Sequence, residues 1–116
     1  MSKPAEIFKA LSDPTRLRCL LLLHGERELC VCELVEALNV SQPLISRHLA
    51  HLRGVGIVED ERRGQWVHYR LSPGLGSWVI ELLEILQRVE AETDEMIEAR
   101  ARLSAMLPRP PGRCDE

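Results

Sequence analysis

Two of the chain's four cysteines, Cys30 and Cys32, are separated by a single residue. Thiolate sulfur binds soft, thiophilic ions in preference to magnesium or calcium. Positions i and i+2 of a regular helix point about 200° apart, so two such thiols share one ion only if the helix start is distorted. The pair therefore predicts a soft-ion site, and oxidation of the two thiols to a disulfide is an alternative chemistry.

The other two cysteines lie in different surroundings. Cys19 stands in a run of leucines and is predicted to be a packed core thiol. Cys114 lies in the C-terminal stretch PRPPGRCDE, as an idle thiol or as a third ligand. A thiol–disulfide or metal-transfer protein that uses the CxC as its active dithiol is a rival interpretation. We do not expect an enzyme, because no P-loop, nucleophile elbow or catalytic carboxylate pair is recognisable.

A second set of candidate residues lies on a predicted helix that Ser41 caps and on the hairpin after it. The apolar stripe Ile45, Leu49 and Leu52 has helical spacing and faces inward, which places Arg47 outside. Glutamine and arginine can each form two hydrogen bonds to the edge of one base, and serine can hydrogen-bond phosphates or bases. The candidate DNA contacts are Ser41, Gln42, Ser46, Arg47, Arg62 and Arg63, the last two at a predicted hairpin tip.

Charge and length limit the class of protein. The 116 residues suit one domain, and the net charge of −3 hides a positive middle segment. Residues 41–72 carry five basic and three acidic side chains, a net charge of +2, which fits a polyanionic partner. The longest apolar run, residues 19–23, is too short to span a bilayer, and no signal peptide is recognisable. A cytoplasmic protein without a membrane partner, with reduced thiols, is expected.

The elements that must position these residues follow from periodicity and capping signals. Helices are predicted over residues 4–11, 14–24, 28–38 and 42–53, then strands over 57–61 and 65–71, and one long helix over 75–107. The fold class is therefore mainly α with a small β-hairpin, a winged helix-turn-helix in the order α-α-α-α-β-β-α. Residues 1–107 are expected to bind DNA and to dimerise through the long helix. Residues 108–116 are expected to be a flexible, proline-rich tail.

Three segments in this order carry a family resemblance: ELCVCEL, SQPLISRHLAHLR and GQWVHYRLSP. Together they make residues 6–81 resemble the ArsR/SmtB family of winged-helix metal-responsive repressors, and within it the arsenic-responsive branch. The resemblance implies a homodimer that binds double-stranded operator DNA without a cofactor. It also implies release from DNA when arsenite or antimonite binds Cys30 and Cys32.

The resemblance leaves the third ligand open. In many arsenic-responsive members a third cysteine follows the second by three residues, and that position is Val35 here. Cys114, Cys19 or a small-molecule thiol would have to complete the set. We expect the ion to distort the helix over 28–38 and so to misplace Gln42 and Arg47. A repressor that senses oxidation through a Cys30–Cys32 disulfide is the alternative.

Overall fold

The computed structural model describes residues 3–106, which form six helices and three strands. In chain order these are α1 (Pro4–Leu11), α2 (Pro14–Glu26), β1 (Leu29–Cys30), α3 (Val31–Leu38), α4 (Gln42–Gly54), β2 (Val58–Arg63), β3 (Trp66–Leu71), α5 (Ser77–Glu90) and α6 (Asp94–Ser104). The prediction of a mainly helical winged helix-turn-helix is confirmed. Helices α3 and α4 form the helix-turn-helix, and β2 and β3 with their turn form the wing.

Three helix boundaries that the sequence predicted lie at short polar residues. Asp13 caps α2 by accepting a hydrogen bond from the Arg16 backbone N–H, with an N–O distance of 3.0 Å. Ser41 caps α4 in the same way, accepting from the Leu44 N–H at 3.3 Å. Asn39 ends α3 in the left-handed conformation, with φ 57°. Each cap satisfies a helix-end group that has no partner within the helix.

The core is aliphatic and is centred on α2. All five residues from Cys19 to Leu23 are buried, with at most 1% of their surface exposed. The stripe predicted for α4, Ile45, Leu49 and Leu52, has no exposed surface. Burying one such side chain contributes about 1.5–3 kcal/mol, so this stripe fixes which face of α4 remains outside.

The sheet is antiparallel, with the strand order β1-β3-β2. Its hairpin turns at Gly64 and the following residue, and Gly64 has φ 66°, a conformation that favours glycine. The predicted turn at 62–64 was therefore placed too early. Arg62 and Arg63 end strand β2, where they pair with Val67 and Trp66 of β3.

The helix predicted over 28–38 was also placed too early. Leu29 and Cys30 form a short strand that pairs with Tyr69 and His68 of β3. Cys30 is extended, with φ −94° and ψ 169°, and α3 begins only at the next residue. A strand of two residues takes its conformation from its partner strand, so local periodicity does not reveal it.

The prediction of one long C-terminal helix over 75–107 is wrong within the described residues. A break between Glu90 and Asp94 separates α5 from α6, and Thr93 caps α6 by accepting from the Met96 N–H at 3.3 Å. Helix α6 packs against α3, and Arg102 Nε donates to the Ala37 carbonyl oxygen at 2.8 Å. Buried residues of α6 are Met96, Ala99 and Leu103. This part of the apolar stripe covers the chain's own helix-turn-helix.

Leu107, the predicted tail over 108–116 and Cys114 lie outside the described residues. Between residues 3 and 106, no helix combines the length and the apolar character that crossing a membrane requires.

Candidate functional site

The two CxC sulfurs lie together at the start of α3. Cys30 is the residue before the helix and Cys32 is in its first turn, and their Sγ atoms are 3.3 Å apart. Because Cys30 is extended, the opposed directions expected on a regular helix do not arise. The expectation that binding one ion requires distortion of a helical turn is therefore wrong: the backbone already brings the sulfurs together.

The chemical state of the pair differs between the two sulfurs. Cys32 is a half-buried free thiol, whereas Cys30 is disulfide-bonded. Binding of an ion by both sulfurs therefore refers to the reduced protein. The Cys30 N–H donates to Glu33 Oε1 at 3.0 Å, which holds this helix start in place. A helix N-terminus is a favourable place for anionic sulfur, since its N–H groups and dipole stabilise negative charge.

The surroundings of Cys30 and Cys32 show which groups could serve as a third ligand to an ion. Cys19 is fully buried in the core, as predicted, and burial raises the pKa of its thiol to about 12, with the Asp13 carboxylate adding to the rise. A thiol that is buried and protonated at neutral pH is a packing group, not a ligand. Within residues 3–106, no group of three or more His, Cys, Asp or Glu side chains is arranged to hold a metal ion. Val35 follows Cys32 by three residues on α3.

The outward face of α4 carries the predicted base-contacting residues. Gln42, Ser46 and Arg47 are exposed, opposite the buried stripe. Ser41 is exposed too, but its hydroxyl oxygen already accepts the capping hydrogen bond of α4. This places an amide and a guanidinium on the face and first turn that a recognition helix presents to the major groove.

The arginines of residues 41–72 fall into two groups. Arg53, Arg63 and Arg70 form ion pairs with carboxylates of the chain. Arg47 and Arg62 are exposed and form no ion pair with any residue between 3 and 106. Phosphate contacts require cationic groups that are not already neutralised. Of the two wing arginines predicted to contact DNA, Arg62 is thus the one that no carboxylate of the described residues neutralises.

Arg63 instead joins the wing to the segment that carries the thiols. Its two Nη atoms bond the Glu28 carboxylate at 2.6 and 2.8 Å, and Nη2 also bonds Glu61 at 3.0 Å. The Glu28 carboxylate raises the pKa of Arg63, and hydrogen bonds from Arg63 and Arg70 lower the pKa of Glu61. The buried ring of His68 adds a contact from Nδ1 to Glu28 at 3.3 Å.

Buried contacts of His48 connect α4 to the start of α2. The imidazole of His48 is buried, with Nε2 3.4 Å from Asp13 Oδ2 and Nδ1 3.4 Å from Arg16 Nη1. Arg16 Nε in turn donates to the Ala10 carbonyl oxygen at the end of α1, at 2.9 Å. Burial lowers the pKa of His48, opposed by the Asp13 carboxylate, and the Arg16 N–H lowers the pKa of Asp13. The two contacts of His48 join residues 32 and 35 positions apart, so no local pattern indicates them.

The helix-turn-helix, the exposed polar face of α4 and the adjoining wing define a winged-helix DNA-binding protein. The family model described as "Bacterial regulatory protein, arsR family" matches residues 13–60. The chain is 51% identical over 110 residues to the arsenic resistance transcriptional regulator ArsR2 of Pseudomonas putida, covering 95% of this chain and 94% of that protein. It is 49% identical over 94 residues to the arsenical resistance operon repressor of Escherichia coli, covering 81% and 80%.

Comparison with solved structures gives the same fold. HlyU from Vibrio cholerae N16961 superposes with a TM-score of 0.67 at 35% identity, over 76% of this chain and 91% of that one. The AntR antimony-specific transcriptional repressor superposes with a TM-score of 0.63 at 31% identity, over 74% and 75%. The chain belongs to the ArsR family of bacterial regulatory proteins. Both relatives in sequence are named as regulators or repressors rather than as enzymes.

Proposed function

We propose that this protein is a metalloid-responsive transcriptional repressor that acts in the cytoplasm as a homodimer. The dimer binds double-stranded operator DNA through α4 and the wing, and needs no cofactor to do so. Arsenite or antimonite, bound by reduced Cys30 and Cys32, releases it. The observation that carries the proposal is the 3.3 Å separation of the two sulfurs at the start of the helix-turn-helix. Arsenic and antimony in the names of similar proteins support the choice of ligand.

Both DNA-reading elements are connected to the thiol pair, and this supports a route for release. Cys30 lies on β1, opposite His68 of β3, and Glu28 just before it holds Arg63 at the end of β2. Cys32 lies on α3, which leads directly to α4. An ion bound between the two sulfurs adds bulk where β1 meets α3, and so shifts β1 and its wing partners relative to α4. By linkage, DNA that holds the wing and α4 in register weakens binding of the ion by the same factor.

Dimerisation is supported by apolar side chains that the described part of the chain leaves exposed. Phe8 of α1 is 56% exposed, and Ile85 and Val89 of α5 are 49% and 64% exposed. Large apolar groups on two helices are typical of a protein–protein contact. The proposed dimer surface is therefore α1 with α5, while α6 is engaged within its own chain.

The test is a fluorescence anisotropy titration of labelled DNA from upstream of the protein's own gene. Full-length protein is kept reduced with a phosphine, because a dithiol reductant would itself bind arsenite. Cys30→Ser and Cys32→Ser should bind the operator like the wild type but fail to release it when arsenite is added. Cys114→Ser is the matched control, and a normal response shows that this sulfur is no ligand.

Two outcomes contradict the proposal in different ways. Normal release from both single CxC variants would place the sensing site elsewhere. Release of the reduced wild type by hydrogen peroxide but not by arsenite would identify a redox sensor, in which two thiols form a disulfide and two water molecules leave. That second function is favoured by the same sulfur–sulfur contact, and so peroxide belongs in the same titration.

A further inference from the structure

The buried imidazole of His48 lies between one hydrogen-bond acceptor and one donor. Nε2 is 3.4 Å from Asp13 Oδ2, and an ionised carboxylate only accepts; Nδ1 is 3.4 Å from Arg16 Nη1, which only donates. These partners assign the tautomer with its proton on Nε2 and a lone pair on Nδ1. A neutral ring therefore suits both neighbours, whereas a second proton, on Nδ1, would face an N–H group of Arg16.

The guanidinium of Arg16 connects this ring to the end of α1. Its Nε donates to the Ala10 carbonyl oxygen at 2.9 Å and its Nη2 to the Lys9 carbonyl oxygen at 3.3 Å, while Nη1 contacts His48. A cation at the last carbonyl groups of a helix is favourable, because it complements the negative end of the helix dipole. Arg16 is therefore held in place by α1, and the ring that it contacts belongs to α4.

We propose that Asp13 and Arg16 position α4 through His48, and that tight operator binding requires this ring to be neutral. The proposal rests on the proposed function, because α4 is the helix proposed to read the operator. His48 directly follows Arg47, the proposed base-contacting residue. A shift of the ring relative to α2 therefore also shifts Arg47 relative to the operator. Acid weakens operator binding by this route without any change at the thiol pair.

The charges around the ring determine the pH range of this effect. Burial lowers the pKa of His48 below the ordinary 6.5, and the Asp13 carboxylate opposes the shift. Three further neighbours lower the pKa of this ring as well: Arg16, Arg47 and His51. As the pH falls through the lowered pKa, the ring gains a proton beside a guanidinium. That proton must leave before α4 regains its DNA-binding position, so operator affinity is full above 6.5 and is lost below it.

The test measures the operator affinity of reduced, full-length protein by anisotropy between about pH 7.5 and about pH 5.5, at constant salt. Circular dichroism at each pH checks that the protein remains folded. We expect the dissociation constant of the wild type to rise on the order of tenfold across this range.

Two glutamine variants on α4 assign the effect to one ring. His48→Gln offers an amide donor and an amide acceptor in place of the neutral imidazole but gains no proton. It should bind the operator like the wild type at about pH 7.5 and weaken less than about twofold at about pH 5.5. His51→Gln, at an exposed position of the same helix, is the matched control and should keep the wild-type loss.

Asp13→Asn is an independent test that also serves if His48→Gln fails to fold. Asparagine still caps α2 but has no charge, so the pKa of His48 should fall and the loss of affinity should begin at a lower pH than in the wild type. An onset at the wild-type pH would contradict the inference.

Two further outcomes would overturn the inference: a wild type whose operator affinity does not change with pH, and an equal loss in His48→Gln. Release by arsenite at about pH 7.5, measured on the same samples, would in either case leave the proposed function intact. A wild type that binds no operator at any pH would overturn the proposed function itself.

Discussion

Arg47 and Arg62 differ from the other arginines of residues 41–72 in forming no ion pair with any residue between 3 and 106. Arg47 lies on the exposed face of α4, and Arg62 lies on the wing. The outward position of Arg47 was predictable, because the buried stripe of α4 has a clear helical period. The different states of Arg62 and Arg63 were not, because Glu28, the partner of Arg63, is 35 residues away in the chain.

Arg47→Ala should weaken operator binding by about 1–3 kcal/mol and reduce the preference for operator over random DNA, because Arg47 is proposed to contact a base. Arg62→Ala should weaken binding to both DNAs alike, because Arg62 is proposed to contact a phosphate, and it should lower the slope of log affinity against log salt concentration by about 1. Anisotropy titrations on both DNAs at several salt concentrations measure these effects. Equal losses on operator and random DNA for Arg47→Ala would show that it contacts phosphate instead.

His48 gives the folded protein a pH dependence. Burial lowers its pKa below the ordinary 6.5, so the unfolded chain binds more protons in the window just below that value. Stability should therefore fall as the pH drops below 6.5. Urea unfolding at about pH 7.5 and about pH 5.5, at one protein concentration, should show this loss for the wild type. His48→Gln should reduce the loss, and His51→Gln, at an exposed position of the same helix, should not.

At the scale of elements, the helices that carry local capping signals and apolar stripes were predicted from the sequence. The caps at Asp13 and Ser41 and the apolar stripe of α4 are local, and the elements that they define are confirmed. The break before α6 also had a local signal, because Thr93 is followed by two acidic residues in the first turn of α6. The apolar residues keep their 4-3 spacing across the break, and this spacing predicted one continuous helix. Strand β1 and the sulfur contact depend on pairing with β3 and had no such signal.

Glu28 should transmit metalloid binding to the wing. Glu28→Gln removes the charge that holds Arg63, so arsenite should change operator affinity by a smaller factor than in the wild type, for which couplings of about 5–150-fold are typical. Operator titrations with and without arsenite give this factor. Glu59→Gln is the matched control, because Glu59 pairs with Arg70 and not with Arg63. Equal reductions in the two variants would show that the wing is not coupled through Glu28.

The packing of α6 on α3 predicts a stability effect within one chain. Leu103 is 1% exposed, so Leu103→Ala should lower the free energy of unfolding by about 2–5 kcal/mol. Ile97 lies on the same helix but is 52% exposed, and Ile97→Ala should change it by less than about 0.5 kcal/mol. Urea unfolding at a fixed protein concentration measures both. A Leu103→Ala protein that unfolds normally but dissociates into monomers would instead place Leu103 between subunits.

At the scale of the whole molecule, size and charge suit a two-fold dimer that binds two half-sites of DNA. The described part measures 37 × 33 × 22 Å. Major-groove half-sites on one side of DNA lie about 34–36 Å apart, so two copies placed side by side can present their α4 helices to successive grooves. A two-fold dimer uses the same patch on both subunits, and the exposed apolar side chains of α1 and α5 form the patch that such an arrangement would bury.

Val89→Asp should therefore convert the protein to a monomer and abolish tight operator binding. Val89 is 64% exposed in the single chain, so aspartate there costs the fold little, but in the proposed dimer it would bury an unpaired charge. Sedimentation equilibrium measures the association state, and anisotropy measures operator affinity. Ala101→Asp, at an exposed position of α6, is the control and should leave both unchanged. A Val89→Asp protein that remains dimeric would exclude this part of α5 from the subunit contact. A wild type that is monomeric at micromolar concentration would exclude the dimer altogether.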